Sequence, residues 1–303
     1  MSTGKVVVRE DLLSPTVGFK RILVATDFSS GSRAALDCAL GLGRHFQSKI
    51  YVVHVISSGA LQYVSPEGSG EALRQAKAFA ADEMQRLVQS ARCAESVEQV
   101  ILHEGRVWPT LQEFVESNSI DLVALGTHGR TTEKKQLLGS VAEEIFRLAE
   151  CPVLTVGAHL EKQIVARGGV RKVLFATNLK PHAERAAPYA RLLERKQEAR
   201  LTVVHVVEDQ SDAHKEGHEI VREFIVKRLQ RSQPGEFPAR CAPDFQVRFG
   251  EASEEILKAA EEDDSDLIVL GLGARDGASG QLPSQVAYKL VCRSPCPVLT
   301  IRR

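Results

Sequence analysis

Short aliphatic runs recur along the chain, and they lack the polar–apolar alternation of a half-exposed strand. The first five are residues 21–26 (RILVAT), 50–56, 97–102, 122–126 and 153–156. Uninterrupted Val, Ile and Leu of this length predict strands buried on both faces. The stretches between them carry a helical period instead. Residues 32–46 place Leu36, Leu40 and Gly43 at helical spacing, and residues 71–93 set Leu73, Ala76, Ala80, Met84, Leu87 and Val88 on one face. Residues 108–118 hold Pro109 near the first turn, where a missing N–H costs little, and residues 140–149 follow Gly139. The order β-α-β-α-β-α-β-α-β then starts again at Arg171. Such alternation implies a doubly wound parallel α/β sheet with right-handed crossovers. Pro152 and Pro297, each opening a last strand, suit an edge position.

The restart is an internal repeat. KRILVATDFS at residues 20–29 returns as RKVLFATNLK at 171–180, and KIYVVHVI returns as RLTVVHVV. Ala25 thus matches Ala176 and His54 matches His205, both 151 positions on. DLVALG at 121–126 returns as DLIVLG at 266–271, and CPVLT at 151–155 returns letter for letter at 296–300, now 145 positions on. The second copy is therefore six residues shorter in its middle. A period this long is no solenoid and means two copies of a whole domain. The expected division is an N-terminal extension over 1–19, a first domain over 20–157, a linker over 158–170 punctuated by Gly168 and Gly169, and a second domain over 171–303. The extension reads as packing on the surface or partly mobile.

Composition narrows the partners. A chain of 303 residues supports two cores without staples. Lys plus Arg number 39 and Asp plus Glu number 39, so the formal net charge is zero, which argues against a nucleic-acid partner. Hydrophobic residues at 43% and charged residues at 26% are the mix of an ordinary globular protein. The six cysteines, Cys38, Cys93, Cys151, Cys241, Cys292 and Cys296, form no CxxC pair, so neither a disulfide framework nor a zinc site is suggested. They read as small buried hydrophobes. Glu10 and Asp11 interrupt the stretch that a signal peptide would need apolar. No run approaches the ~20 residues of a membrane span. The expectation is a cytoplasmic protein with no membrane partner.

Ligands of open parallel sheets sit beyond the carboxyl ends of the strands, where strand order reverses. The loop after strand one is Thr26-Asp27-Phe28-Ser29-Ser30-Gly31-Ser32, and strand two ends in His54-Val55-Ile56. The loop after strand four is the most informative. It runs Gly126-Thr127-His128-Gly129, then Arg130 to Leu138, then Gly139-Ser140 at a helix start. Gly126 and Gly129 let backbone approach a phosphate chain without Cβ collision. Gly139-Ser140 offers free N–H groups, a hydroxyl and the positive end of a helix dipole, and Arg130, Lys134 and Lys135 add charge. A polyphosphate suits this cradle. The Gly-Lys-Ser/Thr ending of a Walker loop is absent.

GTHGRTTEKKQLLGS, with ATDFS after strand one and VVHV on strand two, resembles the universal stress protein family, and the likeness covers both halves. The spacing Gly-x2-Gly-x9-Gly-Ser is that family's ATP-binding signature, and the first copy meets every term. The resemblance implies a five-stranded parallel sheet of order 3-2-1-4-5 in each domain, flanked by helices. It implies that Ala25, Thr26 and Asp27 line the adenosine end, that Val55 meets the adenine edge through its backbone, and that Leu125, Gly126 and Gly129 touch ribose and phosphates. Gly139, Ser140 and Val141 would hold the phosphates, with His128 and Arg130 nearby. The implied cofactor is ATP with Mg2+ or Mn2+, usually bound in this family without a protein cage. The last strands commonly pair across an interface in this family, so residues 153–156 and 298–301 are expected to pair as an intramolecular pseudo-dimer. Further homo-oligomers are also expected.

The second copy departs from the signature. Asp27 aligns with Asn178, Gly129 with Ala274, Gly139 with Ser284 and Ser140 with Gln285, while Pro283 removes an N–H near the phosphate corner. One nucleotide site per chain is expected, in the first copy. Plainer readings stand beside these: a capped flexible turn at 126–140, an Asx-type loop carboxylate at Asp27, and, against a phosphate contact or a base, a solvated loop histidine at His128. His54 and His205, among valines, read as structural. His214 and His218 read as a solvated helix face without a third metal ligand, Trp108 as a packing anchor, and residues 261–264 as a solvated helix end. No Ser-His-Asp set or catalytic carboxylate pair can be assigned, and phosphate binding alone lowers no barrier. ATP therefore reads as a regulator, at most slowly hydrolysed. The alternatives are a nucleotide-independent oligomeric interaction module and a weak ATPase.

Overall fold

A computed structural model describes residues 17–57, 69–93, 96–103, 106–128, 138–157, 160, 169–208, 215–232, 242–273 and 285–302. The first half runs β1 (Arg21–Ala25), α1 (Ser30–Phe46), β2 (Lys49–Ile56), α2 (Ser69–Ser90), β3 (Val97–His103), α3 (Val107–Ser117), β4 (Leu122–Gly126), α4 (Ser140–Leu148) and β5 (Val153–Val156). The second half runs β6 (Lys172–Ala176), α5 (Pro181–Glu184), α6 (Ala187–Gln197), β7 (Arg200–Val207), α7 (Lys215–Ser232), β8 (Asp244–Phe249), α8 (Ala252–Glu262), β9 (Leu267–Gly271), α9 (Gln285–Arg293) and β10 (Val298–Ile301). Where the first half has one helix, α1, the second has two. Pro188 lacks the N–H that would bond back to Glu184, so the helix stops there and restarts.

Each half has the expected α/β architecture and strand order. The two sheets are not separate, however. They join into one ten-stranded sheet, β3-β2-β1-β4-β5-β10-β9-β6-β7-β8. All pairings are parallel except β5 with β10, which run antiparallel with Leu154 opposite Leu299. The edge position expected for Pro152 and Pro297 is therefore corrected: β5 and β10 lie mid-sheet. Both prolines are accommodated because they precede the ladder, and their carbonyls accept from Val123 and Ile268.

Successive strand residues face opposite layers. Ile22 and Val24 pack into the core under α1, α2, α6 and α7, whereas Leu23 packs with α3, α4, α8 and α9. Both cores run across the two halves, which covers the apolar strands on both faces. Phe19, from the opening segment read as surface packing, is fully buried, with its ring 5.2 Å from Phe46 and 5.8 Å from Tyr189 of the other half. Residues 1–16 lie outside the described residues.

The amino-terminal ends of the strands are closed by a repeated carboxylate. Asp121 accepts from the amides of Lys20 (2.8 Å) and Arg21 (3.1 Å), and Asp266 accepts from Arg171 (2.8 Å) and Lys172 (2.9 Å). This explains the Asp of DLVALG and DLIVLG as a clamp on the entry to β1 and β6, at the opposite end from the ligand loops. No helix among the described residues is long and apolar enough to cross a membrane.

Candidate functional site

β1 lies between β2 and β4, and the helices that follow β1 and β4, α1 and α4, pack on opposite faces of the sheet, which opens a crevice at the strands' carboxyl ends. The loop after β1 is built from local bonds. Thr26 N–H donates to Val53 O at 2.9 Å, and Thr26 Oγ1 accepts from Phe28 N–H at 3.0 Å. Asp27 Oδ1 accepts from Ser29 N–H (3.1 Å) and Ser29 Oγ (2.6 Å), an Asx turn that leads into α1. Ser29 Oγ then caps α1 by accepting from Ser32 N–H. Phe28 sits at φ +65° and sets its ring 4.4 Å from that of His54, tilted by 32°. His54 Nδ1 stands 2.7 Å from Thr26 O; a carbonyl only accepts, so the proton is on Nδ1. His205 makes the same bond to Thr177 O at 2.8 Å, so both histidines are structural ties that hold the loop after a first strand.

The glycine of β4 has a packing role. A Cβ on Gly126 would lie 2.5 Å from the carbonyl carbon of Gly31 and 2.8 Å from Ser32 N, so α1 approaches β4 only because no side chain is there. Gly271 keeps this requirement in the second half, against the backbone of His182. Gly126 is thus needed whether or not a phosphate is near.

The loop after β4 is pinned at its base, where Gly139 N–H donates to Thr127 O at 2.9 Å. Gly139 is the N-cap of α4 and has no side chain to cover the first-turn amides. His128 Nδ1 lies 2.8 Å from Thr127 Oγ1, and its Nε2 is buried without a partner among the described residues. Gly129, Arg130, Lys134 and Lys135 lie outside the described residues.

These elements enclose a cavity of about 310 Å³, at the lower end for ligand sites. Ala25, Thr26, Asp27, Val55, Leu125, Gly126, His128, Gly139, Ser140 and Val141, ten of the twelve residues singled out in the sequence, line it. The structure adds Val107 and Leu111 of α3, one turn apart, and Ser32 of α1. The i, i+4 apolar face of α3 was visible in the sequence, but nothing there distinguished a cavity wall from core. Trp108 beside them is buried, as expected of a packing anchor.

A larger cavity of about 430 Å³ lies between the halves, lined by Asp37, Cys38, Leu154, Asp266 and Cys296 among others. Its carboxylate Asp266 is already engaged by two amides. Burial, with Asp37 and Cys296 adding negative charge, pushes the Cys38 thiol far above its ordinary value, so it rests protonated.

In the second half, Asn178 Oδ1 accepts from Lys180 N–H at 3.1 Å and repeats the Asp27 turn without its charge. Asn178 Nδ2 lies 3.0 Å from His182 Nε2, and burial, aided by Lys180 and Arg185, pulls the His182 imidazole below its usual value. Ala274, Pro283 and Ser284 lie outside the described residues.

The model of the universal stress protein family matches residues 18–157 and again 169–302. The chain belongs to that family. This universal stress protein is 30% identical over 142 residues to one from Methanocaldococcus jannaschii, covering 46% of this chain and 82% of the relative. It is 31% identical over 137 residues to one from Thermus aquaticus, covering 44% of this chain and 98% of the relative. Both lengths correspond to a single half of the tandem. A solved universal stress protein from Archaeoglobus fulgidus aligns over 93% of this chain and 98% of its own, with TM-score 0.65 and 20% identity, and so shares the fold.

Proposed function

We propose that this universal stress protein binds ATP, with a divalent ion, in the cavity of its first half, as a regulatory signal in a stress response. One observation carries the reading. At the carboxyl ends of β1 and β4, the first turn of α4, which no side chain among the described residues caps, and the buried Nε2 of His128, unpartnered among the described residues, converge on one cavity with the Asp27 loop.

In this reading Asp27, Thr26 and Ala25 take the adenosine end and Val55 the adenine edge. Gly139, without a side chain, lets the phosphates approach, Ser140 and Val141 donate to their oxygens, and His128 adds a hydrogen bond. The ion would sit on the phosphates, held chiefly by them and by water. No residue of this set is given a catalytic part; rapid hydrolysis needs an oriented water and stabilised transition-state charge. Bound nucleotide would favour one arrangement of the Gly126–Ser140 loop and so bias a partner surface. The domain division at 157 and 171, the pseudo-dimer formed by the halves, further homo-oligomers and a cytoplasmic setting belong to the same proposal.

Calorimetric titration with adenosine, AMP, ADP and ATP tests it. One ATP per chain is expected, with affinity rising as phosphates are added. Asp27→Asn keeps the turn acceptor, as Asn178 does, but removes the charge; it is expected to weaken the whole series about tenfold, ~1.4 kcal/mol. Two equal sites per chain, or affinity indifferent to phosphate number, would overturn the cradle. A nucleotide-independent interaction module is favoured by one feature, the exposed Ile220 and Phe224 on α7. Absence of any adenine nucleotide from the mass spectrum of the purified protein, together with no binding in the titration, would select it.

A further inference from the structure

We propose that the second half positions the nucleotide site of the first, through Tyr288 of α9. The inference rests on the reading above and deepens it. Leu138 immediately precedes Gly139, the residue that starts α4. Its amide donates across the molecule to Tyr288 Oη at 3.4 Å. Cys292, one turn further along α9, has its sulfur within reach of the same amide and of the Tyr288 hydroxyl. The hydroxyl can therefore donate to Cys292 Sγ and keep an oxygen lone pair for Leu138.

The contact is buried on the Leu138 side, and Tyr288 is half-buried against the same cluster. Leu138 is 6% exposed and packs in one apolar cluster with Leu290, Val291 and Cys292. Tyr288 occupies the position that matches Glu143 in α4, 145 residues earlier. Glu143 N–H closes back onto Gly139 O at 2.8 Å, so the first turn of α4 is tied on its own side as well. Gly139 N–H is committed to Thr127 O, which leaves Leu138 as the next amide along, and its partner comes from the other half. A glycine N-cap has no side chain to fix the approach of the chain, so this outside bond sets where α4 begins. The donors proposed for phosphate are the amides that follow. On this account the second copy, whose own signature has eroded, is a brace for the first. Tyr288 touches no ligand; it is a positioning residue.

Tyr288→Phe keeps the ring and removes the acceptor. ATP affinity is expected to fall about threefold to fivefold while adenosine affinity stays unchanged, because only the phosphate end depends on where α4 begins. Hydrogen exchange at the Leu138 and Gly139 amides of the nucleotide-free full chain is expected to speed up in the same variant. A role confined to packing would change the unfolding midpoint but not the ratio of ATP to adenosine affinity. Unchanged ATP affinity and unchanged exchange in Tyr288→Phe would overturn this inference and leave the nucleotide site standing. Failure of the wild-type chain to bind ATP would remove both.

Discussion

Gly126 illustrates how one residue serves two demands. Its spacing to Gly129 and Gly139 suggested room for a phosphate chain, yet its missing side chain is required by α1, whose backbone lies within van der Waals distance of the absent Cβ. Gly271 keeps the glycine where the surrounding signature is lost, which assigns the constraint to strand–helix packing. Gly126→Ala and Gly271→Ala are each expected to destabilise the ligand-free chain by about 1–3 kcal/mol through overpacking, read from chemical denaturation. A neutral Gly271→Ala would refute the packing role. Asp27 shows the converse. Its side chain makes the Asx turn that the plainer reading foresaw and also lines the cavity, two roles that the residue type alone could not separate.

At the scale of elements, equivalent helices are joined by inverted charge pairs. Arg106 and Glu144 meet at 2.7 Å in the first half, and at the matching positions Glu251 and Lys289 meet at 3.2 Å. Glu251 is also the N-cap of α8. The Ser253 hydroxyl above all, then the Glu254 amide and Lys289, hold its carboxyl down from 4.5 to about 2. A carboxyl depressed in the folded chain stabilises it above the unfolded value, and that contribution is lost as the pH falls from 4.5 toward about 2. Glu251→Gln is expected to flatten the acid-induced drop in unfolding midpoint within this window; a drop as steep as wild type would refute the assignment. The helix α4 depends on an element far away in sequence. Arg302, after β10, donates to Phe146 O at 2.9 Å and Ala149 O at 3.2 Å, so a guanidinium of the second half caps the negative end of a first-half helix. Periodicity revealed α4, but nothing near it in sequence revealed this cap.

Over the whole molecule, the antiparallel seam makes the halves one structure. Thr155 Oγ1 donates to Val298 O and Thr300 Oγ1 to Val153 O, both at 3.2 Å, a reciprocal pair across β5 and β10. The seam covers two edges that would otherwise be open to pairing with other chains. Trp108, the single tryptophan, lies in the first half, and far-ultraviolet dichroism reports both. The two signals are expected to share one melting midpoint, and Gly271→Ala in the second half is expected to lower the Trp108 midpoint with it. Separate midpoints would show that the halves unfold independently. The aliphatic runs, the helical periods and the repeat were legible in the chain because burial on both faces and the helix turn write local patterns. The loops that line the cavity were legible too, since glycines and polar residues at strand ends have few local alternatives. The joining of two sheets into one, the cross-half contacts of Tyr288 and Arg302, and the packing demand on Gly126 depend on groups that folding brings together from 95 to 156 positions apart. Such contacts leave no periodic trace, because their partners are chosen by the packed geometry and not by neighbouring residues.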